Sequence, residues 1–162
     1  MEFKVEKTQE RVEDFTNHNP NARLLMTIPG ISYYSALMIT AEIGDIRRFS
    51  SAKQLVSYGG LNPSVYQSGT KCYMGHLSKQ GNKNLRWILT QISHVAVQHD
   101  KSLRAFFLRI RKRRGTNIAI IATSRKLLTI IYAMLKNNSK YYDLQVERHH
   151  RRARYLPRPM LV

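Results

Sequence analysis

Apolar residues recur at three- and four-residue steps through much of this chain, which is the spacing of helices that bury one face. Three long helices are predicted in the second half, and their apolar stripes are assigned to the core alone. Polar capping residues place the starts of these helices at Asn82 or Lys83, at Ser102 and at Asn117.

Shorter helices are predicted in the first half. One covers residues 3–16, and the stretch Asn17–Asn21 ends it. Leu24–Ile28 leads into a tight turn over residues 29–32, and the next helix runs through residues 36–43 until Gly44 stops it. Another begins at Ser50 or Ser51.

The stretch from Gly59 to Gly75 is rich in Ser, Gly, Tyr and Pro and has no sustained period. It predicts a long irregular loop around Ser68, with room for a short hairpin. The fold class predicted from these patterns is all-α, with a small helical bundle and an irregular loop.

Positive charge dominates the composition, because 27 Lys and Arg stand against 10 Asp and Glu, a formal net charge of +17. From Ile46 to Tyr142 there are 18 Lys and Arg and a single acidic residue, Asp100. A folded body with so few carboxylates presents a positive field to a polyanion. We therefore expect DNA or RNA as the partner, in preference to a solvated basic face or a membrane surface.

Length and motif content limit the remaining classes. A chain of 162 residues suits one ordinary domain. No apolar run is interpreted as a bilayer span and the N-terminus lacks a signal peptide, so a cytoplasmic location is expected. Cys72 is the single cysteine, and with His76 it supplies too few ligands for zinc, so no metal or cofactor is predicted in this chain.

The turn Pro29–Gly30–Ile31–Ser32, with Ala36 beyond it, resembles a helix-hairpin-helix element. Gly30 permits a positive φ and a close approach of the backbone to phosphate. The helix that follows offers its first amides to an anion. Gly30, Ile31 and Ser32 are therefore candidate DNA-binding residues, although a plain αα turn also accommodates Pro-Gly.

Ser68 lies in the long loop, and a cluster of cations follows it. A serine that attacks a phosphodiester needs cations to hold the phosphate and to stabilise developing charge. On the residues alone, a serine before a glycine on a loop more often only caps or turns the chain. The candidate phosphate-binding cations of this region are Lys71, Lys79, Lys83 and Arg86.

A second basic cluster ends one of the predicted helices. Its cations suit a phosphate backbone and also favour the helix dipole, so a solvated helix end is the alternative. The candidates are Arg111, Lys112, Arg113 and Arg114.

Taken in order, several short segments resemble the C-terminal domain of the IS110-type insertion-sequence transposases, the group that combines a DEDD nuclease-like domain with a serine. The resemblance covers residues 24–142. The segments are Leu25–Ile31, Glu42–Asp45, Arg48–Ser50, Tyr58–Pro63, Gln67–Gly69, Gly75–Lys79, Gly81–Asn82 and Leu85–Arg86.

This resemblance implies a role in DNA strand cleavage and exchange during transposition, with Ser68 as the catalytic serine. It also implies a structured guide RNA, a homo-oligomer in the full-length protein, and an N-terminal nuclease domain that holds Mg²⁺. On this interpretation residues 1–20 end a linker helix, residues 21–142 form the helical domain, and residues 143–162 are a flexible basic tail. Without the N-terminal domain, this chain is not expected to be active alone.

The competing hypothesis is a non-catalytic helix-hairpin-helix protein of the repair or ribosomal type, which binds nucleic acid. It accounts for the charge and for Gly30. It does not account for the order of the segments around Ser68.

Overall fold

The computed structural model describes residues 11–68, 71–77 and 80–142, and it describes side chains outside residues 63–79. The elements in chain order are α1 (residues 11–18), α2 (Pro20–Leu25), α3 (Tyr33–Ile43), a 3-10 turn (Ile46–Arg48), α4 (Ala52–Tyr58), β1 (Pro63–Ser68), β2 (Lys71–Leu77), α5 (Lys83–His99), α6 (Lys101–Arg114) and α7 (Thr116–Asn137). The predicted helical class is confirmed.

Helix α7 is the centre of the fold, because α2, α4, α5, α6 and the 3-10 turn all pack against it. Its buried face includes Leu127, Leu128 and Ile131, which are fully buried. Helix α5 crosses it at a polar point, where the hydroxyls of Ser93 and Ser124 lie 2.9 Å apart in the core. This satisfied buried pair fixes how the two helices meet.

Helix α7 is also long and apolar enough to cross a membrane by length and composition. The sequence interpretation concerned uninterrupted apolar runs, and Arg125 and Lys126 interrupt this helix near its middle. Core helices of folded proteins meet the same criterion, and 61% of the apolar stretch of α7 is buried inside the bundle. Its burial against five other elements accounts for its apolar character.

The predicted helix end at residues 17–21 is instead a junction between two helices. Helix α1 continues to residue 18, and α2 begins at Pro20, so only Asn19 lies between them. The side chain of Asn19 accepts hydrogen bonds from the amides of Asn21 and Ala22, and Pro20 occupies the first helical position, where its missing N–H costs nothing. Asn and Pro thus start a helix here.

Strands β1 and β2 form an antiparallel hairpin around Ser68, so the predicted irregular conformation is wrong there, whereas the short hairpin that the prediction allowed for is present. Val65 pairs with Met74 and Tyr66 with Tyr73, and a register shift lies between Pro63 and Val65. β-Branched and aromatic residues favour paired strands, and pairing satisfies the backbone groups of a segment that lacks helical periodicity. Residues 143–162 lie outside the described residues, so the predicted tail stays a prediction.

Helix α6 begins two residues earlier than predicted, because its cap is Asp100 and not Ser102. The Asp100 carboxylate accepts a hydrogen bond of 2.6 Å from the amide of Leu103. Asp100 also ends α5, since its own amide donates to the carbonyl of Ala96. A single residue therefore joins two helices that are buried against each other.

Candidate nucleic-acid interface

The turn between α2 and α3 has the conformation that the sequence predicted. Gly30 has a φ of +93°, a region that side chains disfavour. A Cβ at this position would lie 3.1 Å from the Val95 side chain and 3.1 Å from the Ala96 amide nitrogen of α5. Glycine is thus required for packing on α5 as well as for backbone conformation.

Two of the three amides predicted to meet a phosphate are already engaged within the protein. The amide of Ile31 donates to the carbonyl of Ile28 at 3.2 Å, and its side chain is buried. The amide of Ser32 donates to Ser35 Oγ at 2.8 Å in a capping box. The exposed Gly30 and the first turn of α3, where Tyr33 and Tyr34 are exposed, are therefore the open part of this turn.

The hairpin places Ser68 at the end of β1, directly opposite Lys71 at the start of β2. The side chains of both residues lie outside the described part of the structure, and so does Lys79 altogether. Their predicted roles stay predictions. The pairing leaves two residues between the strands, so Ser68 belongs to the tip of the hairpin.

The two chain segments at the base of the hairpin pass backbone against backbone. A Cβ on Gly81 would lie 2.7 Å from the Gly60 amide nitrogen and 2.5 Å from the Tyr58 carbonyl oxygen. The amide of Asn82 donates to that carbonyl at 2.8 Å. Such close contact requires glycines at positions 60 and 81 and ties the end of α4 to the start of α5.

The Glu42 carboxylate, on α3, also holds the start of α5 in place. The Nδ2 groups of Asn82 and Asn84 donate to its two oxygens at 2.6 and 2.8 Å. These hydrogen bonds hold the pKa of Glu42 below its ordinary value. The Tyr58 hydroxyl donates to the Glu42 carbonyl at 3.3 Å. We call this set of Glu42, Tyr58, Asn82 and Asn84 the hairpin clamp.

Two arginines support the clamp. Arg48 lies over the Tyr58 ring at 4.8 Å, and hydrogen bonds from Asn82 and Arg48 lower the pKa of the Tyr58 hydroxyl. Arg86 donates to the Gly59 carbonyl at 3.3 Å and is half-buried. Arg86, a predicted phosphate ligand, therefore holds the base of the hairpin in this structure, whereas the predicted ligand Lys83 is exposed.

The second basic cluster is open to solvent. Arg111, Lys112, Arg113 and Arg114 are all exposed on the last turn of α6, and no carboxylate of the described residues lies within ion-pair distance of them. Helix α6 packs against the start of α7 at Ala119. The clamp side of α7 is at Leu128, which lies about 14 Å further along the helix axis. The structure therefore keeps this cluster apart from the hairpin.

Sequence reasoning missed the hairpin clamp as a unit. Glu42, Tyr58 and Asn82 each belong to a segment that resembles the transposase family, but nothing in their spacing along the chain shows that they are in contact. No group of three His, Cys, Asp or Glu side chains converges as metal ligands within the described residues. Both carboxylate oxygens of Glu42 already accept hydrogen bonds from the side-chain amides of Asn82 and Asn84.

Comparison with known proteins finds a match between residues 22–108 and the family model described as "Transposase IS116/IS110/IS902 family". The transposase for insertion sequence element IS1111A of Coxiella burnetii is 31% identical over 82% of this chain and 38% of that protein. The pilin gene-inverting protein of Moraxella bovis is 36% identical over 76% of this chain and 39% of that protein. The transposase for IS1328 of Yersinia enterocolitica is 32% identical over 59% of this chain. The chain thus spans about two fifths of the length of the first two relatives.

Proposed function

Because this chain belongs to the IS116/IS110/IS902 transposase family, we propose that it is the DNA-binding and serine-bearing domain of a transposase. It takes part in DNA strand cleavage and exchange when an insertion sequence transposes. One observation carries the proposal: the hairpin clamp gathers residues from three separated segments at the base of the hairpin that bears Ser68.

The clamp supports a catalytic role for the hairpin because it fixes both ends of a short two-stranded element. An isolated hairpin is only marginally stable in water. Here the strands enter and leave through a double-glycine contact that Glu42 and Arg86 brace. A reacting group must be held within a fraction of an ångström of its target, which a braced hairpin permits and a free loop does not.

In the proposed reaction, the Ser68 hydroxyl oxygen forms a bond to phosphorus while the bond from phosphorus to a sugar oxygen breaks. The serine loses its proton, and the departing sugar oxygen gains one. A serine hydroxyl is a weak nucleophile at neutral pH and needs an activating group. The described residues supply no free carboxylate beside the hairpin, so we assign activation to the acid-rich, Mg²⁺-binding domain that the family resemblance implies.

The proposal includes the setting in which the domain acts. The domain forms the C-terminal part of a homo-oligomeric, cytoplasmic transposase that also binds a structured guide RNA. The supporting observation is the positive surface, because the exposed cluster on α6 and the exposed Lys83 on α5 give polyanions two separate points of contact.

Salt dependence tests the nucleic-acid part of the proposal. If the chain contacts about five phosphates of duplex DNA, a plot of log affinity against log salt should have a slope near −4 to −5. Fluorescence anisotropy of labelled duplexes with unrelated sequences should give similar slopes. An affinity that does not change with salt would contradict the proposal.

A further inference from the structure

Trp87 lies on a face of α5 that leaves it half exposed. Its exposed fraction is 52%, although tryptophan is usually well covered in folded proteins. Within the described residues, no other ring and no cation packs on its indole. Exposure on this scale, with no ring or cation of the described residues packed on the indole, indicates a contact surface more than a core position.

The neighbours of Trp87 on the helix surface are polar or cationic. Lys83 lies one turn before it and Gln91 one turn after it, and both are exposed. Asn84, three residues before Trp87, is bound to Glu42, whose two oxygens are occupied by Asn82 and Asn84. The face therefore combines an exposed aromatic ring with an exposed cation. The neighbouring carboxylate, Glu42 of α3, already accepts hydrogen bonds at both oxygens.

Trp87 lies in the second turn of α5, close to the point where the chain leaves the hairpin. Asn82 ends the hairpin segment and caps α5, so Trp87 follows five residues later, about 8 Å along the helix axis. A nucleotide whose phosphate lies at the base of the hairpin could thus place its base over the indole ring, with Lys83 between them.

We infer that Trp87 is a stacking platform for one unpaired nucleobase, and that Lys83 contacts the phosphate backbone of the same strand. The inference rests on the proposed function, since strand cleavage and exchange release bases from their pairs. The charge of this face favours a nucleic acid as the occupant, because Lys83 is exposed beside Trp87 and both oxygens of Glu42 already accept hydrogen bonds. Aromatic stacking beside a cation is how single strands are held without sequence preference.

The chain carries its own probe, because Trp87 is its single tryptophan. The whole chain would be titrated with a single-stranded DNA of about ten nucleotides, an RNA of the same sequence, and the DNA duplex. Stacking should quench the tryptophan emission strongly with single strands and weakly with the duplex. The DNA and RNA arms identify which strand supplies the base.

Substitution then separates stacking from charge. Trp87→Leu should weaken single-strand binding about 5- to 100-fold while leaving the salt slope unchanged, because it removes no phosphate contact. Trp87→Phe should restore most of the affinity. Phe15→Leu is the matched control, since Phe15 is also an exposed ring, at 65%, on a different helix, and this change should have no effect.

Three results would overturn the inference. One is binding by anisotropy without any change in tryptophan emission. Another is an equal loss of duplex and single-strand affinity in Trp87→Leu. The third is an emission change that follows protein concentration without nucleic acid, which would indicate self-association. Each leaves the proposed function standing, whereas failure of all three nucleic acids to bind would refute both.

Discussion

Glu42 is the one carboxylate that joins α3 to the start of α5, and both of its oxygens accept hydrogen bonds there. Its role depends on its charge, since amide donors bind a carboxylate more strongly than a neutral oxygen. The lowered pKa of Glu42 expresses the same preference.

Glu42→Gln should therefore destabilise the fold by about 1 kcal/mol at neutral pH, because one of the two asparagine amides loses its acceptor. Since the pKa of Glu42 is lower in the folded state, the stabilisation is present above the unfolded pKa and is lost as the pH falls through the folded value. The difference in stability between wild type and variant should begin to narrow near the ordinary glutamate pKa, about 4.3, and should close below the lower pKa of the folded state. Urea unfolding across this range measures it.

Glu13→Gln is the control for that experiment, because Glu13 is an exposed carboxylate on α1. A gap between wild type and Glu42→Gln that stays constant down to low pH would show that the charge of Glu42 is not what holds the start of α5.

Gly30 combines two constraints that substitution can separate. Gly30→Ala should cost about 1–3 kcal/mol from the positive φ and more from the contact with Val95 and Ala96. Gly115→Ala is the matched control, since its φ is +83° but no atom lies within 4 Å of the Cβ position. Thermal unfolding should show the larger loss for Gly30→Ala. Equal losses would mean that packing on α5 contributes nothing.

At the scale of the elements, helix α6 is an edge helix whose last turn carries four cations that form no ion pair with the carboxylates of the described residues. If these cations contact phosphates, replacing any one of them with glutamine should reduce the magnitude of the salt slope by about 0.9. Arg47→Gln is the control, since Arg47 is exposed but paired with Asp45 at 3.0 Å. The slopes come from duplex titrations at several salt concentrations, and an unchanged slope in all four variants would place DNA elsewhere.

The sequence predicts the elements whose apolar pattern repeats over several helical turns. Helices α3, α5, α6 and α7 were expected, because the apolar stripes that bury them repeat over several turns. Among the shorter elements, the start of α4 was predicted and its cap is Ser51, whereas α2 was missed and the hairpin was only allowed for. Helix α2 has six residues, too few for a period to show, and the hairpin depends on pairing between strands that no local spacing reveals.

The same limit applies to the candidate site. Gly30 could be predicted, because a Pro-Gly turn before a helix is a local pattern. The contact between Glu42 and Asn84 joins residues 42 positions apart, and the burial of Arg86 against Gly59 depends on the whole fold. The segments that resemble the family contain Glu42, Tyr58 and Asn82. Only the structure showed that these residues form one clamp together with Asn84.

At the scale of the whole molecule, a helical core centred on α7 presents a hairpin at one place and a basic helix end at another. The central claim is that Ser68, at the tip of the braced hairpin, is the nucleophile of strand cleavage. Ser68→Ala removes a single oxygen from the hairpin and leaves the proposed phosphate-binding cations in place, so fold and DNA affinity should stay close to wild type.

The most direct test is formation of a covalent protein–DNA adduct on labelled DNA, with this chain joined to the acid-rich nuclease domain of its family. Wild type should form the adduct and exchange strands, and the chain without that domain should bind DNA but not cut it. Ser68→Ala should form no adduct and exchange no strands. If the alanine variant still forms the adduct or recombines DNA, Ser68 is not the nucleophile.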